Sequence, residues 1–262
     1  MSSSNEYADG NLSNQISRGS RSFQLVGGVA ALLAALVFRR WLSAEFGLLQ
    51  SLGLVHVYLQ TTSTNPLDWF LLLRTNPFVG LLLLNLFDTV NYLLAALMYL
   101  GIYSHIRTSY RDFTHLPMFL VAMGTAAYLM SNQAMIMLSL STQYFAATDE
   151  GRKLAILAAG QYALTVNNPV AFGTGVFWAY LLLYGSGMVL SIASLSKHAA
   201  LTPWIAIVGI VANAFGLGYF ITALLGPTLS IIPALGSAPM NLVWYIAIGI
   251  ELIRHATKGN LK

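Results

Sequence analysis

The chain contains no cysteine. That excludes disulfide bridges, thiolate metal sites and a cysteine nucleophile. It is also poor in charge: Asp, Glu, Lys and Arg make up 8% of its 262 residues, against about 25% in soluble domains. So little charge leaves no sizeable soluble domain to build. Motifs for enzymatic chemistry are missing too. There is no His-Glu-x-x-His, no Gly-x-Ser-x-Gly and no phosphate-binding glycine loop. Gly185-Ser186-Gly187 lacks the nucleophile spacing, and Gly216-Leu217-Gly218 lies inside an apolar run, so both read as close helix packing. The histidines, His56, His105, His115, His198 and His255, include no i, i+4 pair. No metal, haem or other cofactor is therefore expected.

What is present is apolar sequence: 56% of residues are hydrophobic and the mean hydropathy is +0.67. A crossing takes about 20 residues. The fold expected is all-α: a polytopic transmembrane helix bundle of about six spans plus interfacial helices, with the lipid bilayer as its first partner. The net charge of +4 is scattered over loops and tails. It reads as membrane topology and not as nucleic-acid binding.

Residues 1–22 are polar, rich in Ser and Asn, and are expected to be a disordered tail. Residues 23–255 form one transmembrane domain, and 256–262 a short basic tail. The first apolar run, Phe23 to Phe38, ends in Arg39-Arg40 and not in a cleavage site, so it reads as span one. Gly27, Ala31 and Ala35 give it a ridge of small residues. Across 44–73, Gln50, His56 and Gln60 interrupt the apolar pattern. Two interfacial helices are expected there, a full span being the other reading. Asn76-Pro77 starts span two, which runs to about Tyr103. Span three covers about Leu116 to Leu140, with Gly124, Tyr128, Ser131, Asn132, Met135 and Ser139 on one face. A surface helix follows Thr148, its expected N-cap, and breaks at Asn167-Asn168-Pro169. Span four is about Gly175 to Leu195. Span five is about Trp204 to Leu225, started by Thr202-Pro203, with Gly209, Asn213, Gly216 and Phe220 on one face. A loop with Pro227, Pro233 and Pro239 leads into span six, which runs to Ile253. No internal repeat relates the two halves.

The segment Asn85-Leu-Phe-Asp88-Thr89-Val-Asn91-Tyr92 holds the one acid well inside an apolar run. At 100° per residue, Asn85, Asp88, Thr89 and Tyr92 share a face, opposite Leu86, Phe87, Val90 and Leu93. A carboxylate at mid-bilayer costs about 2.5–3.5 kcal/mol on insertion scales, so it must face protein or water. Asp88, Asn85, Thr89 and Tyr92 could meet Ser131, Asn132 and Asn213 at similar depth. Two readings stay open. The cluster binds or moves a small molecule, a lipid or a proton; or it is packing glue, with a protonated Asp88 bonded to Asn85 or to a neighbouring helix. The first makes the chain a non-enzymatic ligand-binding protein, the second an accessory subunit of a membrane protein complex. An enzyme acting on lipid would need a second catalytic group near Asp88, and the spans offer only amides and hydroxyls.

Orientation follows from counting cations. With six spans and the N-terminus inside, the inner segments hold Arg18, Arg21, Arg107, Arg111, Lys197, Arg254, Lys258 and Lys262, and the outer ones Arg39, Arg40, Arg74, Arg152 and Lys153. That excess places both termini in the cytoplasm.

Three short stretches carry a family resemblance: Leu86-Phe87-Asp88, Tyr144-Phe-Ala-Ala-Thr-Asp-Glu-Gly-Arg-Lys-Leu154, and Leu195-Ser-Lys-His-Ala-Ala-Leu-Thr-Pro203-Trp204. With their order, the chain resembles the bacterial integral membrane proteins grouped as domain of unknown function 4386, over about residues 23–255. The resemblance implies a helical membrane fold and no particular activity.

Overall fold

The computed structural model describes residues 19–37, 65–107, 115–168, 170–195 and 201–258. Most of the N-terminal tail, the segment up to Thr64, His56, His198 and the last four residues of the basic tail lie outside the described residues. The helices are α1 (Gly19–Val37), then α2 (Pro66–Thr75), α3 (Pro77–Leu83), α4 (Leu86–Ile106), α5 (His115–Ser131), α6 (Ala134–Ala146), α7 (Glu150–Asn167), α8 (Gly175–Ser194), α9 (Pro203–Ala223) and α10 (Pro227–Lys258). The fold is all-α, and no strand occurs among the described residues. Among the described residues, five segments are long and apolar enough to cross a membrane: α1, α5 with α6, α8, α9 and α10. The bent pair α3–α4 makes six if it counts as one span.

Local chemistry sets most helix starts. Asn65 and Asn76 precede Pro66 and Pro77, and their side-chain oxygens accept from Leu67 N (3.1 Å) and Val79 N (3.2 Å). Thr174 caps α8 by accepting from Phe177 N at 3.1 Å. Two caps differ from expectation. The cap of α7 is Asp149, not Thr148: Asp149 has extended backbone, and its carboxylate accepts from Arg152 N at 2.7 Å. Thr202 precedes α9 but its hydroxyl does not cap; it donates to Glu251 Oε1 at 2.6 Å.

Three spans also differ in extent. Span two is broken at Leu84-Asn85, with a 48° bend between α3 and α4. Span three is broken at Asn132-Gln133, so Met135 and Ser139 do not continue the face of Gly124 and Tyr128; Met135 is exposed. The proline-rich stretch is not a loop. Pro233 and Pro239 lie inside α10. Proline breaks helices in water, but lipid offers an open backbone no partners, so an uncharged stretch keeps its remaining helical bonds.

Among the described residues, the helices pack around two apolar clusters. The larger joins α1, α4, α5, α8, α9 and α10 around Met98, Tyr99, Leu190 and Trp244. Here the ridge of α1 behaves as its spacing predicts. Ala31 and Ala35 are buried, and a Cβ on Gly27 would stand 2.6 Å from Gly101 Cα. Ser20 ties the same pair of helices, its hydroxyl donating to Ser104 O at 3.0 Å. The α9 face of Gly209, Asn213, Gly216 and Phe220 is buried throughout. The smaller cluster joins α2, α6 and α7 around Trp69, Phe70, Met137 and Ile156. The helix expected on the surface, α7, therefore has one packed face, with Gly160 against Phe70, while Leu154 and Tyr162 stay exposed. Arg74 lies over the Phe145 ring at 4.3 Å, fastening the end of α2 to α6.

Candidate functional site

The two helix breaks meet. A break frees backbone groups that lipid cannot satisfy, so each needs a protein partner. At the first, Asn85 adopts φ 64°, the left-handed region that Asn tolerates better than most residues. Its carbonyl accepts from Asn132 Nδ2 at 3.1 Å and from the Tyr128 hydroxyl at 3.2 Å. At the second, Asn132 Oδ1 accepts from Ala134 N at 3.1 Å. Asn167, the last residue of α7, serves both. Its Oδ1 accepts from Gln133 N at 3.1 Å and its Nδ2 donates to Leu84 O at 3.3 Å. Two asparagines thus replace the helical bonds that the breaks remove.

Asp88 stands in the first turn of α4, immediately above the first break. The positive end of the helix dipole favours an acid there. Tyr180 of α8 donates its hydroxyl to Asp88 Oδ2 at 2.8 Å. Asp88 Oδ1 has no hydrogen-bond partner among the described residues. Asn91, three residues on, has a buried Oδ1 without a partner among the described residues. Aromatic rings wall the site. Tyr92 stacks on Tyr128 at 4.7 Å between ring centres, Tyr180 meets both edge-on at 5.9 and 5.8 Å, and Phe220 stacks on Tyr180 at 5.2 Å. Tyr92 donates its hydroxyl to Ala179 O, above Gly124, where no Cβ could fit without meeting that hydroxyl.

The residues expected from sequence divide. Asp88, Thr89, Tyr92 and Asn132 come together; Asn132 Nδ2 also reaches Thr89 Oγ1 at 3.4 Å. Asn85 joins through its backbone carbonyl, because the break turns it out of the helical face that it would share with Asp88. Ser131 does not join. Its hydroxyl packs against Gly175 at the start of α8, and its carbonyl accepts from Gln133 Nε2 at 3.3 Å. Asn213 does not join either. It is fully buried against Gly187, accepts from the Tyr99 hydroxyl at 3.5 Å and donates to Gly209 O at 2.7 Å. Tyr99 lies 11 residues beyond Asp88, about 16 Å along the helix. Sequence reasoning missed Tyr180 as the partner of Asp88 and Asn167 as the bridge. The only signal for Asn167 was its place in Asn167-Asn168-Pro169, which reads as a helix end.

Chemically, the site can take up a proton or hold a donor. Its open groups are acceptor oxygens, and its walls are the π faces and edges of tyrosine and phenylalanine. No second acid or base stands beside Asp88 among the described residues, whose side chains there are hydroxyls and amides. Replacing Tyr180 with Phe is expected to cost about 0.6–2 kcal/mol, the value of one interhelical hydrogen bond in a membrane. It should also shift the infrared band of the Asp88 carboxyl, identified as the band missing from Asp88→Asn. An unmoved band would mean that Tyr180 does not hold the acid.

No family model, curated protein or solved structure matches the chain.

Proposed function

We propose that this chain is a non-enzymatic multi-pass protein of the cytoplasmic membrane, with both termini inside, that binds or moves a small or lipidic ligand at the level of Asp88. The carrying observation is the open acceptor pair at a helix break: Asp88 Oδ1 and Asn91 Oδ1 lack partners among the described residues, and Asp88 is otherwise fixed by Tyr180. Membrane proteins that bind solutes use discontinuous helices in this way, and a break is tolerated at membrane depth where its backbone is buried in protein or lines a water-filled cavity. Packing glue alone would be expected to engage both carboxyl oxygens. Membership of the bacterial membrane family that the sequence resembles belongs to the same proposal and adds no activity to it.

The test is native mass spectrometry of the gently extracted protein, wild type beside Asp88→Asn. The expected result is a ligand carried by the wild type and lost from a mutant whose thermal unfolding is unchanged. A ligand held equally by both forms would remove Asp88 from the reading. A protein partner held by both forms, with no small ligand, would replace it with an accessory-subunit role.

A further inference from the structure

A second site lies at the other end of the bundle, where α9 begins and α10 ends. Between them runs a groove of ≈ 460 Å³, within the roughly 300–1,000 Å³ of small-ligand sites. Its two ends differ in chemistry. Along its length it is apolar, walled by Ile205, Val243, Ile246 and Ile250, the last three exposed to the outside of the bundle. At its mouth stand Thr202, Glu251 and Arg254. Trp204, 52% exposed, lines the rim.

The mouth is built. The Glu251 side chain is 11% exposed. Its Oε1 accepts from Thr202 at 2.6 Å and faces His255 Nε2 at 3.5 Å, and its Oε2 lies 3.9 Å from Arg254 Nη1. Glu251 therefore keeps Arg254 at the groove without covering it; the Arg254 side chain stays 63% exposed. Lys258 follows one helical turn later on the same strip and is exposed. Two cations thus stand where the apolar channel reaches the helix end, against one carboxylate that Thr202 and His255 already engage.

We infer that this groove holds one phospholipid, with an acyl chain along α9 and α10 and an anionic headgroup at Arg254 and Lys258. Length supports it. Val243 to Arg254 spans 11 residues, about 16 Å of helix, and one leaflet of hydrocarbon is about half of a 30 Å core. Charge supports it, because basic pockets between membrane helices recognise lipid headgroups. Trp204 supports it, because exposed tryptophan belongs at headgroup level. The site is separate from that of Asp88 and does not depend on it.

The test uses the full chain in phosphatidylcholine nanodiscs doped with phosphatidylglycerol, with lipid retention read by native mass spectrometry. The wild type should keep one phospholipid, enriched in phosphatidylglycerol. Arg254→Gln and Lys258→Gln, both at exposed positions, should each lower that enrichment about fivefold, the factor that about 1 kcal/mol per juxtamembrane cation represents. Ala247→Leu narrows the groove and should abolish retention while leaving ligand binding at Asp88 unchanged. Enrichment that survives both Gln variants, or a second copy of the chain occupying the groove in place of lipid, would overturn the proposal.

Discussion

Replacing Asn167 with leucine should destabilise the protein more than any other single side-chain change at the helix breaks. The substitution keeps the number and branching of the side-chain heavy atoms and removes every polar one. Two groups then lose their partners at once: Gln133 N–H and Leu84 C=O. They sit on different broken spans, and Asn167 itself is buried, so water cannot replace it cheaply. A buried backbone group left unsatisfied costs about 1–3 kcal/mol, which gives about 2–6 kcal/mol for the pair. Denaturant unfolding in mixed micelles would measure it. Asn168→Ala is the control, because the Asn168 side chain makes a local exposed bond to Val170 N and its loss should cost under about 1 kcal/mol. Equal losses from the two variants would show that the breaks are not held by Asn167. A further consequence separates stability from function. Loosening the breaks frees Asn85, whose carbonyl positions the start of α4, so ligand retention at Asp88 should fall in parallel with stability.

How much of this was legible in the sequence depended on what each residue interacts with. Helical spacing predicted the packed faces of α1 and α9, because there the period of small residues and the packing surface coincide: Gly27, Ala31 and Ala35; Gly209, Asn213, Gly216 and Phe220. Asp88 stood out because an acid in an apolar run is costly wherever the run goes. The breaks at Leu84-Asn85 and Asn132-Gln133 were not legible. Neither contains Gly or Pro; Asn85 is a single polar residue in an apolar run, and Ser131-Asn132-Gln133 reads as the polar face of a continuing helix. What permits them is a partner far away in the chain, since 83 residues separate Leu84 from Asn167. Once the breaks were missed, depth along a continuous helix misplaced Ser131 and Asn213. Tyr180 was hidden by abundance: with 13 tyrosines in the chain, no single one carries information until the fold pairs it with Asp88. Pro233 and Pro239 misled for a different reason, because the rule that proline ends a helix was learned in water.

The second large effect is expected at Gly27. Here α1 meets α4 backbone to backbone. A Cβ would stand 2.6 Å from Gly101 Cα and 2.9 Å from Leu97 O. Neither atom is the end of a flexible side chain, so a rotamer change cannot relieve the overlap and the helices must part. Gly27→Leu should therefore reach or exceed the upper end of the roughly 1–3 kcal/mol that over-packing costs. Gly101→Leu attacks the same contact from the other side, with Gly27 Cα 2.8 Å from its added Cβ. Once either substitution has separated the helices, the second has little left to break, so the double variant should cost clearly less than the sum. Gly185→Leu provides the opposite case. Its Cβ would meet nothing within 4 Å, and leucine favours helix over glycine by up to about 1 kcal/mol, so that variant should be neutral or slightly stabilising. The absence of native cysteine makes a direct probe available. Ser20 and Ser104 lie across this contact, each hydroxyl reaching the other's carbonyl. A cysteine pair placed there should cross-link readily in the parent and slowly in Gly27→Leu. Equal cross-linking, together with unchanged unfolding, would mean that α1 tolerates the side chain and that the close approach of its glycine to α4 does not hold the helix in place.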